Sequence, residues 1–342
     1  MPLDAPHAEA LNLLWLQSGG CGGCTLSLLG AEAPDLLSAL EFARIGVLAH
    51  PSLSETCGAG FAALVGRLRS SEQHLDILCL EGAVMRGPQG TGRFHTFAGT
   101  DTPMMQIIAD LARRARYVVA IGTCAAYGGV TAAGGNVTEA CGLAYEGEEA
   151  GGLLGVSFRS ASGLPVINIS GCPVHPGWVI DTLVQISLGQ FDASSLDTFG
   201  RPRFYASHLV HHGCSRNEFY EYKASAQKIG QLGCMMEHLG CIGTQVHGDC
   251  NIRRWNGEGS CILGGYPCVG CTEPSFGERE HPYLETPKRA GIPVGLPADM
   301  PKAWFVALAS LAKAATPERL RRNAVAETIA VQPRSGGGKT AK

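Results

Sequence analysis

The stretch LQSGGCGGCTLSLLG, residues 16–30, decides how this chain is read. An apolar run, NLLWLQ (Asn12–Gln17), breaks into a turn of glycines and cysteines and then resumes as a helical pattern. Strand, glycine-rich turn and helix is the layout of a phosphate-binding loop, but such a loop needs a Lys-Ser/Thr pair, and Gly23-Cys24-Thr25 has no Lys. A dinucleotide fingerprint fails as well, because GGCGGC lacks the third glycine in register. A thioredoxin-like C-x-x-C would be self-contained at its helix N-terminus. The reading therefore turns on what the rest of the chain places beside Cys21 and Cys24.

Five short apolar runs follow one another: NLLWLQSGGC, ARIGVLAH, LDILCLEGAV, ARYVVAIGTCAAYGG and GLPVINISGCPVHP. Each shows little alternation, as strands covered on both faces do. Helical patterns lie between them at Phe61–Arg69 and at Thr102–Arg116, the second with Asp101 as its expected N-cap. The alternation predicts a doubly wound parallel α/β sheet over residues 8–190. The first, fourth and fifth runs end in GGCGGC, GTCAAYGG and GCPVHP. Sites in such sheets form outside the carboxyl ends of the strands. Cys21, Cys24, Cys124 and Cys172 are thus expected at one sheet edge, with Glu81 of LEGAV beside them. Four thiolates there suit either zinc or an iron–sulfur cubane.

From about Arg201 the texture changes, and residues 191–275 read as a small irregular domain organised by metal. Seven of the fourteen cysteines fall in residues 214–271. His211, Cys214, Cys234 and Cys241 form one four-ligand group; Cys250, Cys261, Cys268 and Cys271 form another. Zinc in three such sites would be purely structural, whereas three iron–sulfur clusters in line would form an electron wire. Cys57, Cys79 and Cys141 lack partners at ligand spacing and read as plain thiols, and His212, His238 and His247 as neighbours of the ligands. Residues 276–342 read as a Pro-rich connector, a helix over 302–315 and a disordered tail, VQPRSGGGKTAK.

With 342 residues, 45% hydrophobic content and a net charge of −3, the chain reads as a soluble globular protein without the basic surface of a nucleic-acid binder. No apolar run approaches a membrane span. So many cysteines, behind an N-terminus lacking the pattern of a leader, predict a cytoplasmic metalloprotein.

Taken in order, LWLQSGGCGGCT, HPSLS, LEGAV, GTCAAYGG, GLPVINISGCPVHP, the H-x-x-C pair, the LGC segment and PCVGCTEP resemble the small, electron-transferring subunit of [NiFe]-hydrogenases, from Leu11 to Pro274. The resemblance implies a flavodoxin-like domain holding a proximal [4Fe–4S] cluster through Cys21, Cys24, Cys124 and Cys172. It also implies a distal [4Fe–4S] cluster on His211, Cys214, Cys234 and Cys241, and a medial cluster on Cys250, Cys268 and Cys271. Where many members have proline and a three-iron medial cluster, this chain has Cys261, so a third [4Fe–4S] cluster is expected. Cys234 and Cys241 lie seven apart, one more than is common, so a remodelled loop is expected at the distal cluster. The Ni–Fe centre would lie on a large subunit in an obligate heterodimer, and Glu81 resembles a carboxylate with a proton-path role near that interface.

The CMMEHLGC segment and the C-terminal extension are most similar to regulatory, H₂-sensing hydrogenases. These form a dimer of heterodimers and signal to a histidine kinase, for which the helix around Trp304 and Phe305 and the tail are the expected contact. The competing readings are a cytoplasmic uptake hydrogenase serving a soluble acceptor, a non-hydrogenase relay subunit like that of respiratory complex I, and a structural three-zinc protein.

Overall fold

All five apolar runs form strands: β1 (Leu11–Gln17), β2 (Ile45–Ala49), β3 (Ile77–Glu81), β4 (Tyr117–Ile121) and β5 (Ile167–Ile169). The computed structural model describes residues 10–278 and 300–327, with 288, 289, 292, 293, 296 and 298 between them. The strands pair in parallel in the order β2-β1-β3-β4-β5. This is the flavodoxin-like doubly wound order, in which the winding reverses between β1 and β3.

Helices cover both faces. Leu11, Leu13 and Trp15 of β1 and Ile77 and Cys79 of β3 point into one core, with α1 (Gly23–Leu29), α2 (Leu36–Phe42) and a later helix, Pro176–Ser187. Leu14, Leu16, Leu78 and Leu80 point into the other, against α3 (Gly58–Ser70), α4 (Met104–Ala112) and α5 (Gly122–Tyr127). Successive side chains therefore alternate in direction while all remain apolar, which is why the strands read as unbroken runs. Cys79 is fully buried within β3, as its place in an apolar run implied.

One helix boundary differs from its sequence expectation. Helix α4 begins at Met104 behind Pro103, and Asp101 does not cap it. Pro103 bridges to Thr96, and the Phe97 amide donates to the Thr102 carbonyl at 2.8 Å. The residue before a proline is held extended, so the helix starts only after it.

Between α6 (Pro176–Ser187) and residue 278 the chain has few regular elements, chiefly the one-turn helices Arg203–Ala206 and Asn217–Glu221. Its apolar clusters are small; Ala226, Met235, Leu239 and Ile262 make up one of them. Within this region Arg201, 2% exposed, donates from Nε to Asp197 at 2.7 Å and from Nη1 to Glu273 at 3.2 Å. The region is pinned to the α/β layer by Asn168 of β5, whose Nδ2 donates to the Phe199 carbonyl at 2.7 Å. Trp178 Nε1 of α6 donates to Asp249 at 2.6 Å. Helix α7 (Lys302–Ala315) spans the expected residues and buries Phe305 against Tyr220 and Met236. The C-terminal tail and most of the connector lie outside the described residues.

Candidate metal centres

The turn after β1 carries Cys21 and Cys24, α5 carries Cys124 directly after β4, and the turn after β5 carries Cys172. The sheet order thus brings together cysteines that are far apart in the chain. Burial, reinforced by the neighbouring Cys124 and Cys21 thiols, pushes Cys172 up to about 11. Cys24 is raised further, by burial first and then, against a hydrogen bond from the Val174 amide, by Glu81, Cys172 and Cys124. Gly122 has φ +83, and a Cβ there would stand 2.5 Å from Cys24 Sγ, so a glycine is required where α5 passes the cysteine turn. The Gly23 amide donates to Cys21 Sγ at 3.4 Å and the Thr131 hydroxyl to Cys124 Sγ at 3.7 Å.

Glu81 lies beneath this set, 4% exposed. Its carboxylate accepts from Trp15 Nε1 at 3.2 Å, Gln17 Nε2 at 3.0 Å, the Thr25 amide at 3.0 Å and the Thr25 hydroxyl. Burial pushes its pKa upward, but the donated hydrogen bonds outweigh it and hold the group below the ordinary carboxylate value. Glu81 is a fixed anion tying β1 and β3 to the root of the cysteine turn.

The second four-cysteine set also closes in space. Cys250 lies in the fields of Cys271 and Cys261, and Cys268 in those of Cys271 and Cys250. Two links join the sets in a line. Cys271 lies in the field of Cys172 and Cys268 in that of Cys241, and the Ile242 amide, next to Cys241, donates to the Cys268 carbonyl at 3.1 Å. The Thr123 hydroxyl, beside Cys124, also donates to the Cys271 carbonyl.

The third set surrounds a small cavity of about 20 Å³ lined by His211, Cys214, Cys234, Cys241, Arg216 and Thr244, among others. The His211 ring packs edge-on to Tyr220, with centroids 4.2 Å apart. His212 instead accepts at Nδ1 from the Leu209 amide, and His247 pairs with Glu273 at 3.1 Å. His238 lies 3.8 Å from Glu237. His211 is thus the histidine that faces the three cysteines.

These donor sets fit iron–sulfur clusters. Buried thiols that raise one another's pKa need a cationic group before they can all ionise. Thr244 Oγ1 is buried on the third cavity with no hydrogen-bond partner from the protein, as suits a donor to an inorganic sulfide.

Sequence reasoning missed two cations here. Arg216, 8% exposed, lies beside Cys214, Cys234 and Cys241, and Lys223 lies over the Tyr220 ring at 3.8 Å. Their only signal was position, as basic residues inside a cysteine-rich stretch.

Comparison with known proteins then narrows the family to which the chain belongs. Residues 21–186 match the NADH ubiquinone oxidoreductase 20 Kd subunit family, which leaves a complex I relay subunit and a hydrogenase both open. Residues 206–284 match the C-terminal family of NiFe/NiFeSe hydrogenase small subunits. The F420 non-reducing hydrogenase II small subunit of Methanosarcina mazei is 32% identical over 94% of this chain and 86% of its own length. The chain belongs to the [NiFe]-hydrogenase small subunits. The periplasmic [NiFeSe] hydrogenase small subunit of Desulfomicrobium baculatum is 30% identical over 81% of this chain and 87% of its own. Among solved structures, the actinobacterial-type NiFe-hydrogenase from Ralstonia eutropha H16 superposes with a TM-score of 0.74 at 30% identity, covering 91% of each chain. As a small subunit, this chain pairs with a large subunit, where the hydrogenase active site lies.

Proposed function

We propose that this small subunit conducts electrons of the reaction H₂ = 2 H⁺ + 2 e⁻ through three [4Fe–4S] clusters. Cys21, Cys24, Cys124 and Cys172 would hold the first, Cys250, Cys261, Cys268 and Cys271 the second, and His211, Cys214, Cys234 and Cys241 the third. Bound there, the clusters would supply reversible one-electron chemistry in series. The observation that carries the reading is a pair of hydrogen bonds, from the Thr123 hydroxyl beside Cys124 to the Cys271 carbonyl and from the Ile242 amide beside Cys241 to the Cys268 carbonyl, which tie neighbouring ligand sets together.

The protein's own part is to fix, insulate and tune these centres. Glu81 belongs to that scaffold: with four donors on it and a depressed pKa, it serves better as an anchor than as a proton relay. The four-iron assignment of the middle set rests on Cys261, which shares the fields of Cys250 and Cys271. Cys261→Pro in the native heterodimer should give a three-iron EPR signal on oxidation; an unchanged spectrum would refute the assignment.

A regulatory role, with signalling to a histidine kinase, is supported by one specific feature. Trp304, Leu308 and Leu311 are 66%, 46% and 66% exposed and recur at helical spacing on α7, whereas Phe305 is committed to its own subunit. This stripe would be the kinase contact, also in a dimer of heterodimers. Leu311→Asp should abolish kinase co-purification; retained binding would exclude the stripe. The reading includes a cytoplasmic setting.

A further inference from the structure

A solvent-open cavity of about 220 Å³ lies against the outer side of the third ligand set. Its inner wall includes Cys234 and Tyr220, and its outer wall is helix α7, through Phe305 and Ala309. Lys223 enters between the two aromatic rings, with Nζ 3.8 Å from the Tyr220 centroid and 4.6 Å from that of Phe305. Its backbone is left-handed, at φ 54, so the lysine is held in an unfavourable conformation that points to a specific placement. Tyr220 in turn touches the His211 ring. Aromatic and cationic groups therefore run without a break from a ligand of the outermost centre to an open pocket. At the rim, Glu237 is held by Ser225 at 2.6 Å and by Lys313 at 3.3 Å.

We infer that this cavity receives a small planar aromatic electron acceptor with redox-active carbonyls and an anionic substituent. The inference rests on the electron-conducting role proposed above and names the acceptor's chemical class. Three properties select that class. The Tyr220 and Phe305 rings and Ala309 offer apolar contact to a flat ring. Two lysines against one glutamate leave the lining positive, which favours an anion and the negative charge that a ring gains on reduction. The volume is below the roughly 300–1,000 Å³ of sites for drug-sized ligands, so the ring system enters while any tail stays outside. A larger cavity, between Glu32, His175 and Arg253, has no cluster ligand in its lining and offers no such route.

The balance is that of H₂ oxidation. H₂ loses two electrons and two protons at the large subunit; the acceptor takes two electrons, and its carbonyl oxygens take up two protons from water at the open mouth. The quinone ring is converted to its hydroquinone.

The test uses the native heterodimer and 9,10-anthraquinone-2-sulfonate, with methyl viologen, a dication, as the reference acceptor. Calorimetric titration of the oxidised complex with the sulfonate should show one site, lost in Ala309→Trp, which fills the cavity. Lys223→Gln should lower the ratio of kcat/KM for the quinone over viologen by about tenfold, and Lys223→Arg should restore most of it. Equal binding by the wild type and Ala309→Trp, or an unchanged acceptor ratio in Lys223→Gln, would overturn the assignment. A wild-type complex that fails to reduce viologen with H₂ would instead count against the electron-conducting reading, and the titration separates the two failures because it needs no turnover.

Discussion

Arg216 donates from Nη1 to the carbonyls of Gln231 and Gly233 at 2.5 and 2.7 Å, so its charge is held in place beside the third cysteine set. A fixed cation there favours whichever state of the centre is more negative, which is the reduced one. Arg216→Gln should therefore shift the midpoint potential of this centre downward, with Arg216→Lys close to wild type. An EPR-monitored redox titration of the heterodimer reads this, and a potential equal in all three would show that the guanidinium serves only the fold. Neither this arginine nor Lys223 was legible from spacing, because neither is a ligand. Their importance comes from where the backbone carries their charge. The cysteines that the fold gathers stood out in the sequence because each sits at a break in a Gly- or Pro-rich segment, where the chain can approach a bound group closely.

The elements around the first cysteine turn are held by one carboxylate. Glu81 ends β3, and its donors come from β1 and from α1. Because its folded pKa is depressed, its stabilisation is fully present above the ordinary carboxylate range. That stabilisation is lost as pH falls through the folded value. Glu81→Gln should melt below wild type at neutral pH, and the gap should narrow on acidification through the range below the ordinary carboxylate pKa. Thermal melts of the two heterodimers across that range measure this, and a gap independent of pH would mean that the carboxylate contributes no charge-dependent stability. The strands themselves were legible as apolar runs, and helix α7 was legible to its ends from its amphipathic pattern. The start of α4 was not, because the bridge between Thr96 and Pro103 is a contact with an earlier segment and competes with local capping by Asp101.

At the scale of the whole molecule, the three ligand sets divide into two kinds. The first is assembled by sheet topology: once β1, β4 and β5 are parallel strands of a doubly wound sheet, cysteines at their carboxyl ends must share an edge. The other two sets have no sheet to place them. They are seated by Trp178 on Asp249 and by the Thr123 hydroxyl on the Cys271 carbonyl, which dock the irregular region onto the α/β layer, while Arg201, with Asp197 and Glu273, ties that region together. This docking sets Cys271 against Cys172 and turns three separate sites into one line.

Strand identity and the cysteines that end strands were written in the chain, since periodicity and short spacings are local properties. The order of contact between the sets, the burial of two cations beside the third set and the cavity closed by Phe305 were set by folding. Each joins residues from distant segments, and fields and cavities depend on distance in space, which spacing along a chain does not encode.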